Sequence, residues 1–187
     1  MGVERTRPST TAILLVDVQE KLVPTIPVEA MADLSRAARI LFGAARELGA
    51  PVLVTEQYPK GLGPTIEPLR DLYAPLHVKP IEKLAFSACA DPAFIDALKA
   101  TGCDAAIVLG METHICVFQT VRDLVARGLR VDVAVDGVAS RRDDHKRVGL
   151  DLCQRAGAGL TTAETVLFDW MVQSGTETFR SLSKLVR

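Results

Sequence analysis

No stretch of this 187-residue sequence approaches the roughly 18 consecutive apolar residues that a membrane-spanning helix needs. The N-terminal residues MGVERTRPSTT are basic, but the apolar run that follows, 12–16, is short and closes at once on Asp17 and Gln19. That organisation predicts neither a secretory leader nor a membrane partner. The four cysteines, Cys89, Cys103, Cys116 and Cys153, form no CxxC pair and have no histidine at ligand spacing. His77, His114 and His145 form neither HxH nor HExxH, so no metal is expected, and no other cofactor motif is complete. Gly61-Leu-Gly63 lacks the third glycine of a dinucleotide fingerprint and lies in a proline-rich stretch, so it reads as turn chemistry. The 22 Lys and Arg residues are scattered against 23 Asp and Glu, giving a net charge of -1 and no basic stripe. Nucleic acid is therefore not an expected partner. Repeats, low-complexity tracts and linkers are also missing.

What remains is a chain long enough for one well-buried domain and too short for two comfortable ones. Residues 1–187 are read as a single domain, with a core over about 10–171 and a C-terminal helix over about 176–187. Hydrophobic residues make up 48% and charged residues 24%, a globular profile. Mean hydropathy is mildly positive, so much of the chain should be core or subunit interface, which favours a homo-oligomer. Without an export signal a reducing cytoplasm is the expected home, with free thiols. Cys89, Cys103 and Cys153 read as small buried apolar residues.

Short apolar runs alternate with amphipathic ones. Residues 11–16 form a continuous apolar strand of the kind buried on both faces of a parallel sheet. Residues 28–48 read as a helix, with Leu34, Ala38, Leu41, Ala45 and Leu48 at three- and four-residue spacing and Gly49 as its stop. Further strands are expected at 51–55, 104–109, 130–135 and, weakly, 159–162. Further helices are expected at 91–100, 113–127, 143–156, 164–173 and 178–186, the first capped by Asp91 and Pro92. Residues 56–82 lack clear period and read as a long loop with one short helix near 66–73; residues 136–142 read as a second loop. This rhythm predicts an α/β fold: three layers, α-β-α, with a central, mostly parallel sheet of Rossmann-like type.

In such sheets chemistry collects outside the C-terminal strand ends. Asp17 directly follows the first strand, where a carboxylate at the rim of a dry core is placed to accept a proton. A cap or turn aspartate is the plain alternative. Cys116 lies in the first turn of the 113–127 helix, where the helix dipole and free N–H groups favour a thiolate and can hold an oxyanion. A buried helix cysteine is the plain alternative. Lys83 ends the long loop; beside a thiol it would favour the thiolate, although Lys79 and Glu82 fit the pattern nearly as well. His114, two residues before Cys116, would not face it on a regular helix.

Taken together, Ala12-Ile-Leu-Leu-Val-Asp17-Val-Gln19, Lys83-Leu-Ala-Phe86-Ser87 and Gly110-Met-Glu-Thr-His-Ile-Cys116-Val117 resemble, in this order, the isochorismatase-like cysteine hydrolase superfamily. The resemblance runs from about Thr10 to Met171. Thr55-Glu-Gln-Tyr-Pro-Lys-Gly-Leu-Gly-Pro64 and Glu112-Thr-His-Ile-Cys116 narrow it to the isochorismatase domain-containing subgroup. Nicotinamidases of the superfamily carry an Asp-x-His metal motif after the second strand; here that stretch is Glu56-Gln57-Tyr58, which argues against a metal and against nicotinamide. True isochorismatases lack the nucleophilic cysteine, so the presence of Cys116 argues against vinyl-ether cleavage.

The resemblance implies a triad of Asp17, Lys83 and Cys116 that cleaves a C–N bond, amide- or imide-like, of a small molecule through a thioester. It also implies an oxyanion hole from the Glu112 and Cys116 N–H groups and a cis peptide between Met111 and Glu112. Gln19, Glu56, Gln57, Tyr58, Phe86, His114 and Phe118 are the expected pocket wall; Phe86 and Phe118 read equally well as core. The alternative is a catalytically idle scaffold or partner-binding protein of the same fold.

Overall fold

The computed structural model describes residues 5–186; residues 1–4 and Arg187, the last residue of the predicted C-terminal helix, lie outside the description. Six strands form one sheet: β1 (Thr11–Val16), β2 (Val52–Gln57), β3 (Ile81–Lys83), β4 (Ala105–Met111), β5 (Arg130–Ala139) and β6 (Gly159–Thr161). Their order is β3-β2-β1-β4-β5-β6, and every pairing is parallel. The helices are α1 (Val28–Leu48), α2 (Pro59–Leu62), α3 (Glu67–Tyr73), α4 (Pro92–Thr101), α5 (Phe118–Ala126), α6 (Asp143–Arg155), α7 (Ala163–Met171) and α8 (Glu177–Leu182). None of the described helices is long and apolar enough to cross a membrane.

The pleat of β1 divides the core. Ile13 and Leu15 point into one apolar cluster, with Leu34 and Leu41 of α1, Leu69 of α3 and Leu167 of α7. Leu14 and Val16 point into the other, with Phe94 of α4, Val121 and Leu124 of α5 and Cys153 of α6. Alternate residues of a strand face opposite sides, so an unbroken apolar run builds both layers at once. All six β1 residues are buried.

Local signals end the helices as expected. Gly49 takes φ 75° and donates its N–H to Ala45 O, and the Asp91 side chain accepts from Ala93 N at 2.9 Å.

Three departures bear on the site, and a fourth lies at the C-terminus. The long loop contains α2, α3 and a sixth strand, β3, which is too short to show a period. The predicted strand 130–135 continues to Ala139. Val133 pairs with Val108, and Val138 with Gly110, so residues 134–137 bulge opposite Leu109 alone. Asp136 turns outward in that bulge and accepts Ala163 N at 3.0 and 3.2 Å, which fixes the start of α7. The predicted helix 113–127 is two pieces, a π-helical turn over Thr113–Val117 and then α5. The C-terminal helix begins at Glu177 and tightens to a 3-10 turn over Ser183–Val186.

Candidate active site

Strand register assembles the site. Val16 lies level with Thr55 on one side and Gly110 on the other, and Gln57 lies level with Lys83. The residues just past these points, Asp17, Gln57 and Glu112, therefore meet at one edge of the sheet. Gly110 has φ 127°, and a Cβ there would lie 2.1 Å from Val16 O, so only glycine lets the ends of β1 and β4 approach this closely. Asp17 itself takes φ 51°, a conformation that Asp tolerates better than most residues, and its N–H donates to Thr55 O at 3.1 Å.

The Asp17 and Lys83 side chains are fully buried and paired, with Nζ 2.6 Å from Oδ2. Asp17 Oδ1 accepts the Thr55 hydroxyl at 2.7 Å. Lys83 Nζ also donates to Gln57 Oε1 at 2.7 Å and to the carbonyls of Ala85 and Phe86 at 3.2 Å each. Lys79 and Glu82, the alternatives in the sequence, make no such contacts among the described residues.

Cys116 lies in the π-turn that follows β4, and its thiol faces this pair. Burial pushes the thiol up to about 12, the Asp17 charge pushes it the same way, and the Lys83 charge pulls it down. This corrects the expectation of a dipole-stabilised thiolate. The cysteine precedes the regular helix, and burial outweighs the cation. Cys153 is raised as far by burial alone, so burial does not single out Cys116; the carboxylate and the ammonium beside it do.

A second ion pair borders the thiol. The Met111–Glu112 peptide bond is cis, and the buried Glu112 carboxylate receives Arg141 Nη2 at 2.6 Å, Nε at 3.1 Å and the Arg141 backbone N–H at 2.9 Å. Burial works against its ionisation, but the Arg141 hydrogen bonds and charge prevail and hold Glu112 below the usual carboxylate range. His114 leaves the π-turn toward α6. Its Nδ1 is 3.1 Å from Ser140 Oγ, and its ring stacks at a tilt on His145, 4.6 Å between centroids. Burial lowers the His114 pKa; Glu112 opposes this, and His145 and Arg141 add to it. Gly149 of α6 lets that helix close on the turn, since a Cβ there would lie 2.7 Å from His114 N.

The expected pocket wall divides. Gln19 and Glu56 are engaged within the protein. The Gln19 amide donates to Gln57 O at 2.9 Å and Gly63 O at 2.6 Å and accepts Gln57 N at 2.7 Å. Glu56 accepts both the N–H and the hydroxyl of Thr65 at 2.7 Å. Both side chains fasten the strap 58–65 over the strand ends, and Gln57 holds Lys83. Tyr58 opens onto a cavity of about 540 Å³ that it lines with Pro59, Leu84, Ala85 and Lys83. Phe86 is 55% exposed, which excludes the core reading. Phe118 is half-buried, with Arg122 5.6 Å above its ring. The sequence reading missed Arg141 and Thr55; only their places at strand ends could have flagged them.

The sequence model of the Isochorismatase domain matches residues 11–165. Isochorismatase domain-containing protein 1 of Salmo salar is 33% identical over 180 residues, 96% of this chain; the chain spans only 62% of that relative's length. Isochorismatase domain-containing protein 2A of Mus musculus is 34% identical over 184 residues, covering 98% of this chain and 85% of the relative. Among solved structures, that of the MAR1 ribonuclease of Caenorhabditis elegans superposes with a TM-score of 0.90 at 37% identity, covering 98% of this chain and 92% of that one.

Proposed function

The chain belongs to the isochorismatase domain family, and from that premise we propose that it is a cysteine hydrolase cleaving an amide- or imide-like C–N bond of a small molecule. One observation carries the reading: a buried thiol faces a carboxylate that is itself held by a buried ammonium. Burial and the Asp17 charge favour the protonated thiol, so its proton leaves as sulfur attacks, and Asp17 is the base at hand. A C–S bond forms, and the carbonyl oxygen takes up negative charge. The backbone N–H groups of Glu112 and Cys116 donate to that oxyanion. The proton on Asp17 passes to the leaving nitrogen as the C–N bond breaks, leaving a thioester. Water, deprotonated by Asp17, attacks the thioester carbon; the C–S bond breaks and sulfur takes back its proton. Lys83 keeps its hydrogen bonds throughout and acts by its charge. The cavity beside Tyr58 and Leu84 reaches Lys83 but is not lined by Cys116 or Asp17, so the reading rests on the buried cluster and not on that cavity. The exposed Tyr58, Leu84 and Phe86 would be covered in a homo-oligomer of a cytoplasmic protein; a monomeric mass by light scattering overturns that assembly.

The test is time-resolved mass spectrometry with a panel of small amides, imides and esters. The expected result is a transient acyl adduct on Cys116 that is absent in Cys116→Ser. Asp17→Asn should cut turnover by roughly 10²–10⁴-fold. The same variant should speed alkylation of Cys116 by iodoacetamide, because the charge that pushes the thiol up is gone. Turnover that survives Cys116→Ser overturns the reading. The name of the Caenorhabditis elegans neighbour supplies a second reading, and cleavage of labelled RNA that is lost in Cys116→Ser would replace the carbonyl substrate with a phosphodiester. Neither adduct nor cleavage from any substrate leaves the idle scaffold.

A further inference from the structure

Lys83 Nζ has three N–H bonds and four oxygens within reach. Asp17 Oδ2 at 2.6 Å and Gln57 Oε1 at 2.7 Å take one each, and the Ala85 and Phe86 carbonyls share the third at 3.2 Å. No N–H remains for a substrate. Of the two side chains on the ammonium, one is charged and one is neutral, at nearly equal distance. The orientation of the Gln57 amide is fixed from its other end, where Nε2 donates to Leu84 O at 2.7 Å. A flipped amide would set N–H groups against the ammonium and oxygen against a carbonyl. The Gln57 backbone is tied as well: its N–H donates to Gln19 Oε1 at 2.7 Å, and β2 holds Gln57 level with Lys83 on β3.

We propose that Gln57 is a positioning residue for the reaction: its neutral carbonyl oxygen fixes the Lys83 ammonium against Asp17 and leaves one carboxylate, not two, on that ammonium. This rests on the hydrolase reading of Asp17, Lys83 and Cys116. The charged groups facing the thiol are Asp17 from the end of β1, Lys83 from β3 and Glu112 from the end of β4. Across Asp17 and Lys83 the charge sums to zero. A carboxylate in place of the Gln57 amide would make the cluster anionic before the thiol gives up its proton, and deprotonation would then work against one uncompensated negative charge. Burial magnifies the effect, because the Lys83 and Asp17 side chains have no water to screen them.

The experiment is the pH dependence of Cys116 alkylation by iodoacetamide in the full chain, read peptide by peptide so that Cys89, Cys103 and Cys153 are separated. At each pH between about 7 and 9, Gln57→Glu should slow Cys116 alkylation by about tenfold or more, with Cys89, Cys103 and Cys153 at their wild-type rates. Gln57→Met removes the oxygen without adding charge. It should slow alkylation over the same range by about 3–10-fold, less than Gln57→Glu or Lys83→Ala does. Equal Cys116 rates in wild type and both Gln57 variants, with Lys83→Ala slowed, overturn the role of Gln57 and leave the hydrolase reading standing. A Lys83→Ala profile identical to wild type overturns both. If Gln57→Glu does not fold, Gln57→Met decides alone, and an unchanged rate overturns the proposal.

Discussion

The Lys83–Asp17 and Arg141–Glu112 pairs border the same thiol with the same shortest contact, 2.6 Å, yet water reaches only one of them. Both side chains of the first pair are fully buried, whereas the Arg141 side chain is 54% exposed over a Glu112 that is 6% exposed. A buried charge stripped of its partner cannot turn to solvent, so the inner pair survives only as a pair. The outer pair can exchange part of its partnership for water. The difference teaches a division of labour: the inner pair sets the charge that the Cys116 thiol meets, and the outer pair holds the peptide at Glu112 in place.

Removing one cation from each pair turns this comparison into numbers. Lys83→Ala should have the largest effect, a loss of about 3–5 kcal/mol in urea unfolding together with turnover at the level of Cys116→Ser. Adding Asp17→Asn to Lys83→Met should restore most of the stability and none of the activity, because it removes the stranded charge along with the base. Arg141→Ala should cost less, about 1–2 kcal/mol, and the loss should shrink in high salt. Its pH dependence has a definite sign. The folded value of Glu112 lies below its unfolded value, so the stabilisation is full above the ordinary carboxylate range, near pH 4–5, and fades as pH falls through the lowered folded value. In Arg141→Ala that acid-side loss should flatten. The adjacent Arg142 pairs with Asp144 at 2.7 Å, with both side chains open to water, and Arg142→Ala should leave stability unchanged within error. Three neighbouring positions would then rank by access to water and not by distance.

Much of this was legible in residue order. The continuous apolar run 11–16 located the central strand, and Asp17 marked its C-terminal end, because burial on both faces leaves nowhere else for a carboxylate to go. The helix start at Asp91 and stop at Gly49 followed from local chemistry that needs no tertiary context. The sixth strand was not legible: three residues show no period, and Ile81-Glu82-Lys83 becomes a strand only because β2 offers it an edge. Nor was the π-turn, whose sequence reads as an ordinary helix start. Gln19 and Glu56 were placed at the right edge of the sheet, but their hydrogen bonds to the strap were not legible. A sequence shows where an amide or carboxylate is, whereas its partners at Gly63 and Thr65 depend on how the strap folds back. The hydrogen bond of Lys83 to Gln57 was hidden for the same reason, since the two residues are level across the register but 26 residues apart.

The central position of β1 carries a consequence for synthesis. Asp17 is made before its cation, which comes 66 residues later, and β4, the strand on the other flank of β1 from β2, follows only after that. Until those segments have left the ribosome the nascent chain holds an apolar strand paired with β2 on one edge and open on the other, and a carboxylate with no cation. Such a chain has no stable place to put either, and loop closure over this span is slow compared with local helix formation. A ribosome-bound fragment ending at α3 should therefore depend on a chaperone that α1 alone would not need.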